Sequence, residues 1–149
     1  MRLVASTAEL VRSELFDRID FARALGFNVP EDWPPDEAAD ALPWFLEQLE
    51  RADPRDVGWY GFYGIAVDGA EPVLVGGGGS LGPPVDGSAE IGYSVLPAFQ
   101  HRGFALEMMA AGNVPSRNLL GRLGFAETGP GREVGSLRFA RSPGTAQPI

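Results

Sequence analysis

The chain has 149 residues, of which 44% are hydrophobic and 21% are charged, and its net charge is −8. This composition is close to that of soluble globular domains and argues against global disorder and a membrane span, while the acidic balance disfavours nonspecific binding to nucleic acid. The chain has no cysteine, which excludes disulfides, thiolate zinc sites and a cysteine nucleophile.

The N-terminal third is predicted to be helical. A capping box, Ser6-x-x-Glu9, begins a helix that is expected to run to about Gly26. Its apolar residues recur every three or four positions: Val11, Leu15, Ile19 and Ala22. Three prolines within residues 29–35 end it, and a second helical period follows over Leu42–Leu49.

Strands are predicted in the middle of the chain. Residues 59–67 have strand composition, with aromatic side chains expected in the core rather than in an acceptor pocket, and Asp68-Gly69 indicates a hairpin. The strand that follows contains the run Gly76–Gly79. We interpret the run as a strand bend or bulge rather than a phosphate loop, because no Gly-Lys-Ser/Thr follows it. A strand over 88–96 would extend the antiparallel meander.

The rest of the chain supplies a helix after Gly103, a helix between Gly112 and Phe125, and a short strand over 137–140. The order of elements predicts an α+β fold in one domain, residues 1–141, with helices packed on a half-open sheet. The tail, residues 142–149, is expected to be disordered. The N-terminus lacks the features of a signal peptide, so a cytoplasmic enzyme is expected.

The strand, turn and helix over Glu90–Ala105 form the most informative stretch. Pro97 stops the strand, and Gly103 and Ala105 keep the first helical turn free of bulky side chains. The first N–H groups of a helix lack partners, and the helix dipole is positive there. This turn can therefore bind a pyrophosphate without a lysine.

Gln100-x-x-Gly103-x-Ala105 resembles the acyl-CoA-binding motif of the GNAT acetyltransferase superfamily, Arg/Gln-x-x-Gly-x-Gly/Ala. Asn113–Phe125 resembles the Asn-x-x-Ser/Ala helix of the same superfamily. The proline-rich segment 29–35 is similar to one in the branch that includes ribosomal-protein N-terminal acetyltransferases. The resemblance covers nearly all of the chain to about residue 140, and it implies a GNAT-like mixed, mostly antiparallel sheet flanked by helices.

The resemblance also implies the chemistry. Acetyl-CoA would be the co-substrate, with no metal, and the acetyl group would pass directly to a primary amine on a small molecule or a protein N-terminus. Tyr93, Ser94 and Val95 would pair with the pantetheine arm as an added strand does. Asn113 and Ser116 would hydrogen-bond the same arm. The pyrophosphate would lie on the turn residues Gln100, His101, Arg102, Gly103, Phe104 and Ala105.

By the same resemblance Glu90 would be the general base, although a carboxylate at a strand end is more often simply solvated. His101, the only histidine, is interpreted as an exposed turn residue rather than a proton shuttle. Arg102 would contact either phosphate or water. Leu120 stands where many relatives carry a tyrosine acid, so that route to the leaving thiolate is absent.

The resemblance breaks after Ala111, where relatives continue for roughly twenty more residues, enough for about two helical turns and one strand. The sheet is therefore expected to lack one strand beside Glu90–Leu96. Three explanations remain open. The segment is omitted from the sequence; or its loss is covered by a second copy in a homodimer; or the chain is a non-catalytic CoA-binding or dimerising remnant.

Overall fold

The computed structural model describes residues 1–83, 88–111, 125–130 and 137–141. Its helices are α1 (Ala8–Phe16), α2 (Arg18–Leu25), α3 (Asp36–Arg51), α4 (Val57–Tyr60) and α5 (Phe104–Ala111). Its strands are β1 (Arg2–Ala5), β2 (Phe62–Ala66), β3 (Val73–Ser80), β4 (Ser88–Val95), β5 (Phe125–Pro130) and β6 (Leu137–Arg141). None of these helices is long and apolar enough to cross a membrane.

The six strands form one sheet in the order β1-β2-β3-β4-β6-β5, and each of the five pairings is antiparallel. The predicted α+β class and the antiparallel character of the sheet are confirmed. The hairpin predicted at Asp68-Gly69 is also confirmed, because β2 and β3 pair across it. The predicted strand over 137–140 corresponds to β6.

The prediction of one long helix up to Gly26 is wrong, because two helices occupy that stretch. Thr7, not Ser6, is the N-cap of α1, and its hydroxyl accepts a hydrogen bond from Leu10 N–H at 3.2 Å. Asp17 then leaves the helical conformation, with φ −152°, and its Oδ1 accepts from the first N–H groups of α2. An aspartate that can cap a new helix competes with continuation of the old one.

Two boundaries also differ from prediction. The helix that was predicted over residues 42–49 is α3, which begins earlier, at Asp36, and contains Pro43. Residues 57–60, predicted in part as strand, form the short helix α4, and β2 begins only at Phe62. Strands β1 and β5 were not predicted from the sequence.

Helices cover the two faces of the sheet, and we name each face by the helix on it. The α1 face is covered by α1 and α2 over a core that includes Leu10, Phe21, Leu25, Ile65, Leu74 and Leu96. The α5 face carries Ala66, Val75 and Phe104, with Met108 fully buried. These two cores fix α5 and the end of β4 relative to each other.

The glycine run lies inside β3 and does not interrupt it. The predicted irregularity is a bulge one residue earlier, because Gly64 pairs with Gly76 and Ile65 with Leu74, which leaves Val75 without a partner in β2. A Cβ on Gly76 would lie 2.9 Å from Met108 Cε and 2.4 Å from the Ser94 carbonyl oxygen. The bare backbone of Gly76 therefore allows α5 and β4 to approach β3 closely.

Candidate functional site

Strand β4 has a different partner strand over each half of its length. With β3 it pairs from Ile91 to Val95. With β6 it pairs only over its first half, from Ser88 opposite Ala140 to Ile91 opposite Leu137. Within the described strands, the outer edge of β4 beyond Ile91 is therefore open.

The hydrogen bonds show which backbone groups lie on that edge. Leu96 N–H donates to Val75 O at 2.9 Å, so Leu96 faces β3, and the direction alternates along a strand. Ser94 accordingly directs its backbone groups to β3, whereas Tyr93 and Val95 direct theirs to the open edge. Gln100 agrees with this assignment, because its Nε2 donates to Val95 O at 3.0 Å from outside the strand pair. The Tyr93 N–H and C=O and the Val95 N–H thus face outward.

A tight turn connects this edge to α5. After the 3₁₀ turn Pro97–Phe99, His101 and Gly103 have positive φ angles of 59° and 83°. The helix begins at Phe104, and Glu107 N–H donates to Gly103 O at 2.9 Å as its first backbone bond. The backbone N–H groups of the helical residues that precede Glu107 have no acceptor within the helix.

Side chains around this turn are divided between core and surface. Phe104 is buried in the core of the α5 face, so it anchors the helix, whereas Gln100 and His101 are exposed. The exposed Arg102 guanidinium lies 5.6 Å from the Phe99 ring centroid and 5.1 Å from that of Phe104. This stacking holds a positive charge beside the start of α5.

Two features frame the turn more widely. Ala105 is half-buried, and a Cβ on Gly103 would meet no described atom within 4 Å. The carboxylate of Glu107 pairs with the Met1 amino group at 2.6 Å. The first turn of α5 therefore presents small residues, and the nearby acidic side chain is already paired.

The remaining predicted site residues are placed only in part. Glu90 lies in β4 opposite Arg138, within the stretch that β6 covers. Asn113 and Ser116 lie outside the described residues, as do the predicted helix that bears them and the predicted tail, 142–149.

The chain was compared with protein-family models, with curated proteins and with solved structures. No match was found in any of the three comparisons. Interpretation of the site therefore depends on its own geometry and on the sequence motifs.

A buried polar cluster beneath the α1 face was missed by sequence reasoning. Glu14 of α1 accepts hydrogen bonds from Trp33 Nε1 at 2.7 Å and from the Tyr63 hydroxyl at 2.6 Å. Burial raises the pKa of Glu14, and the two donors act in the opposite direction. Burial, and then the Glu14 charge, raises the pKa of Tyr63. The one available sequence signal was a glutamate at core-facing spacing, four residues after Leu10.

The same cluster holds the proline-rich segment against the sheet. The Trp33 and Tyr63 rings meet edge to face with centroids 6.2 Å apart. Trp33 Cη2 lies 3.3 Å from the position that a Cβ on Gly77 would occupy. Arg18 Nη1 donates to Trp33 O at 2.9 Å and Nη2 to Val29 O at 2.8 Å. The indole is therefore fixed over β3.

Two other features carry no part of the candidate site. Among residues 1–83, 88–111, 125–130 and 137–141, no group of three or more His, Cys, Asp or Glu side chains could hold a metal ion. A shallow groove of about 390 Å³ lies between the end of α2 and the start of β3, lined in part by Arg23, Phe27 and Glu71. It contains none of the predicted site residues.

Proposed function

We propose that the chain binds acetyl-CoA and transfers its acetyl group to a primary amine. One observation carries the proposal: the open edge of β4 at Tyr93 and Val95 leads directly into the start of α5. A strand edge pairs with the amides of an extended ligand, and a helix start attracts an anion. In CoA the amides of the pantetheine arm are followed by the diphosphate, which is the order in which the strand edge and the helix start follow each other along the chain.

The cofactor would add to β4 as a short strand. Its arm would pair with the outward N–H and C=O of Tyr93 and with the Val95 N–H. The Val95 carbonyl already accepts from Gln100, whose carboxamide occupies one end of the edge. The diphosphate would then lie on the amides at the start of α5, with Arg102 beside it.

The transfer itself would be direct. The neutral amine nitrogen attacks the thioester carbonyl carbon, the C–N bond forms, and the C–S bond breaks with the electron pair leaving on sulfur. Glu90 would accept a proton from the incoming ammonium, and after the attack the nitrogen would lose a second proton, which would pass through water to the CoA thiolate. Holding the thioester on β4 would put it on the strand that carries Glu90.

A second candidate function, CoA binding without catalysis, is supported by the pairing of β6. Strand β6 lies directly against β4 from Ser88 to Ile91, and it places Arg138 opposite Glu90. In the superfamily that the sequence resembles, another strand stands beside β4. Glu90, the proposed base, therefore lies on the part of β4 that β6 covers. The proposed cofactor edge lies on the part of β4 that β6 does not cover.

A charge placed at the start of α5 tests cofactor binding. Acetyl-CoA at about 100 times its Kd should stabilise the chain by roughly 2.7 kcal/mol, measured as a rise in melting temperature. Ala105→Glu should abolish that rise, because a carboxylate in the first helical turn repels the diphosphate while the helix itself tolerates it. The control is Ala8→Glu, which makes the same change at the start of α1 and should leave the rise intact. Equal shifts in both variants would contradict the placement.

The role of Glu90 is tested separately by kinetics. Glu90→Gln should lower the rate of acetyl transfer by about 10²-fold or more, because the amide cannot take the proton. The acetyl-CoA melting shift should be unchanged. An unaffected rate would show that Glu90 is not the base. A native chain that binds acetyl-CoA but acetylates no amine would establish the second candidate function.

A further inference from the structure

The segment between α2 and α3, residues 29–35, crosses the α1 face without joining the sheet, and we call it the strap. Its base is tied to β3, because Leu74 N–H donates to Asn28 O at 2.9 Å. Within the strap, all of which the structure describes, the backbone forms one hydrogen bond, from Trp33 N–H to Pro30 O at 3.1 Å. The strap is therefore held in place by side chains and not by a strand ladder.

Arg18 of α2 makes the first set of these side-chain contacts. Its guanidinium donates to Val29 O at 2.8 Å, to Trp33 O at 2.9 Å and to Pro30 O. Hydrogen bonds from a charged donor are roughly twice as strong as those between neutral groups. Because an arginine side chain keeps its proton in proteins, this set of contacts does not vary with pH.

Trp33 and Glu14 make the second set. The indole is 7% exposed, and its edge lies 3.3 Å from the position of a Cβ on Gly77. Its Nε1 donates to one carboxyl oxygen of Glu14 at 2.7 Å, while the Tyr63 hydroxyl donates to the other at 2.6 Å. The closed strap therefore lays Trp33 against the Glu14 carboxyl, and an opened strap would return that carboxyl to water.

Glu14 is the acidic group in this second set of contacts. Tyr63 faces it from β2 and stays protonated, because burial raises its pKa as well. On the side of α3, Glu50 pairs with Arg12 of α1. Of the described side chains, no ionised one contributes to the shift in the Glu14 pKa, which burial raises against the two hydrogen-bond donors. The closed strap thus favours the protonated carboxyl.

We propose that the strap is a pH-sensitive latch: Arg18 contributes the same hold at every pH, and loss of the Glu14 proton to water releases Trp33 from the sheet. An ionised carboxyl gains hydration when the strap opens, whereas a protonated one loses less by staying enclosed. Segments held by few backbone hydrogen bonds open locally at a lower free-energy cost than the sheet below them. The inference does not depend on the proposed acetyl transfer.

Hydrogen exchange followed by NMR tests the opening of the strap. The protection factor of the Trp33 indole N–H should fall by up to about tenfold per pH unit above pH 4.5, and then level off. At each pH it should be lower than that of Leu74 N–H at the base, and low concentrations of urea should reduce only the protection of Leu74. Protection of Trp33 that does not vary with pH would overturn the proposal. Equal protection of both groups with equal urea dependence would also overturn it, because the strap would then open only when the chain unfolds.

Two variants in α1 assign the pH dependence to one carboxyl. Glu14→Gln keeps an oxygen that can accept from Trp33 but has no proton to lose, so the protection of Trp33 should no longer vary with pH. The control is Glu9→Gln, which makes the same change at an exposed position of the same helix and should keep the native dependence. A pH dependence that survives in Glu14→Gln would overturn the latch.

A measurement on the native chain decides the same point even where Glu14→Gln does not fold. The carbon chemical shift of the Glu14 carboxyl gives the midpoint of its titration, and the protection of Trp33 should stop falling at about that pH. Two clearly different values would show that another group controls the strap.

The hold by Arg18 is tested in α2. Arg18→Gln should lower the protection factor of the Trp33 indole at least about tenfold at every pH, because it removes the charged donor to three strap carbonyls. Arg23→Gln is the matched control, since Arg23 lies in the same helix but pairs with Asp20, and it should leave the protection unchanged. Equal protection in Arg18→Gln and Arg23→Gln would contradict the role of Arg18 in the latch.

Discussion

Glu14 joins three separate parts of the chain through one carboxylate. It lies on α1 and accepts from Trp33 in the proline-rich segment and from Tyr63 on β2. Its pKa is raised because burial disfavours the charged form more than the two donors favour it. A carboxyl that holds its proton more tightly in the folded chain than in the unfolded chain makes stability depend on pH.

The sign of this dependence gives a prediction. Between the ordinary Glu pKa of about 4.5 and the raised folded value, the folded chain binds more protons than the unfolded chain. The contribution of Glu14 to the free energy of unfolding is therefore full below this window and is lost as the pH rises through it.

Comparison with Glu14→Gln isolates that contribution. The free energy of unfolding of the native chain minus that of the variant should fall as the pH rises above the ordinary Glu pKa of about 4.5. Urea unfolding at a series of pH values measures it, and other titrating groups cancel in the difference. A difference that stays constant across this range would contradict the raised pKa of Glu14.

At the scale of helices and strands, the sequence correctly predicted those boundaries that depend on residues close together in the chain. Pro97 and Gly103 correctly indicated the end of β4 and the start of α5. The break at Asp17 was missed because the apolar period continues across it, although the side chain of Asp17 caps a new helix. The aromatic residues Trp59 and Tyr60 suit a strand by composition, but they lie in α4.

The packing of α5 on β3 depends on bare backbone at Gly76. Gly76→Ala should lower the free energy of unfolding by about 1–3 kcal/mol, because its Cβ would collide with Met108 and with the Ser94 carbonyl. Gly92→Ala on the neighbouring strand is the matched control, since its Cβ enters open space, and it should not destabilise the chain. Urea unfolding of both variants gives the comparison. Equal effects would show that α5 does not need the close approach.

At the scale of the whole molecule, the sequence predicted the turn of the candidate site but not the contacts around it. Residues Gln100–Ala105 are contiguous, so a motif could reveal them. The contacts of Glu14 with Trp33 and Tyr63 join residues 19 and 49 positions apart, and one sequence holds no signal for them. The pairing of β6 with β4 also joins distant parts of the chain, so local sequence patterns do not predict it.

The open edge of β4 predicts an alternating pattern of amide exchange. Ser94 and Leu96 direct their N–H groups to β3 and should exchange slowly, whereas the Val95 N–H should exchange quickly. Saturating acetyl-CoA should slow Val95 and Tyr93 and leave Ser94 unchanged. Residue-resolved hydrogen exchange by NMR measures this. Slow exchange at Val95 in the free chain would contradict the open edge.

The partnership of β4 with β6 ends at Ile91, and this boundary has two opposite effects. Each further rung of the ladder would satisfy two more backbone groups and make the sheet harder to open. It would also cover Tyr93 and then Val95, which are the groups that a cofactor would need. In the described strands, a more complete sheet and an open edge at Tyr93 and Val95 are therefore alternatives, and mutations that lengthen the β4–β6 ladder would make the sheet more rigid but close the proposed binding edge.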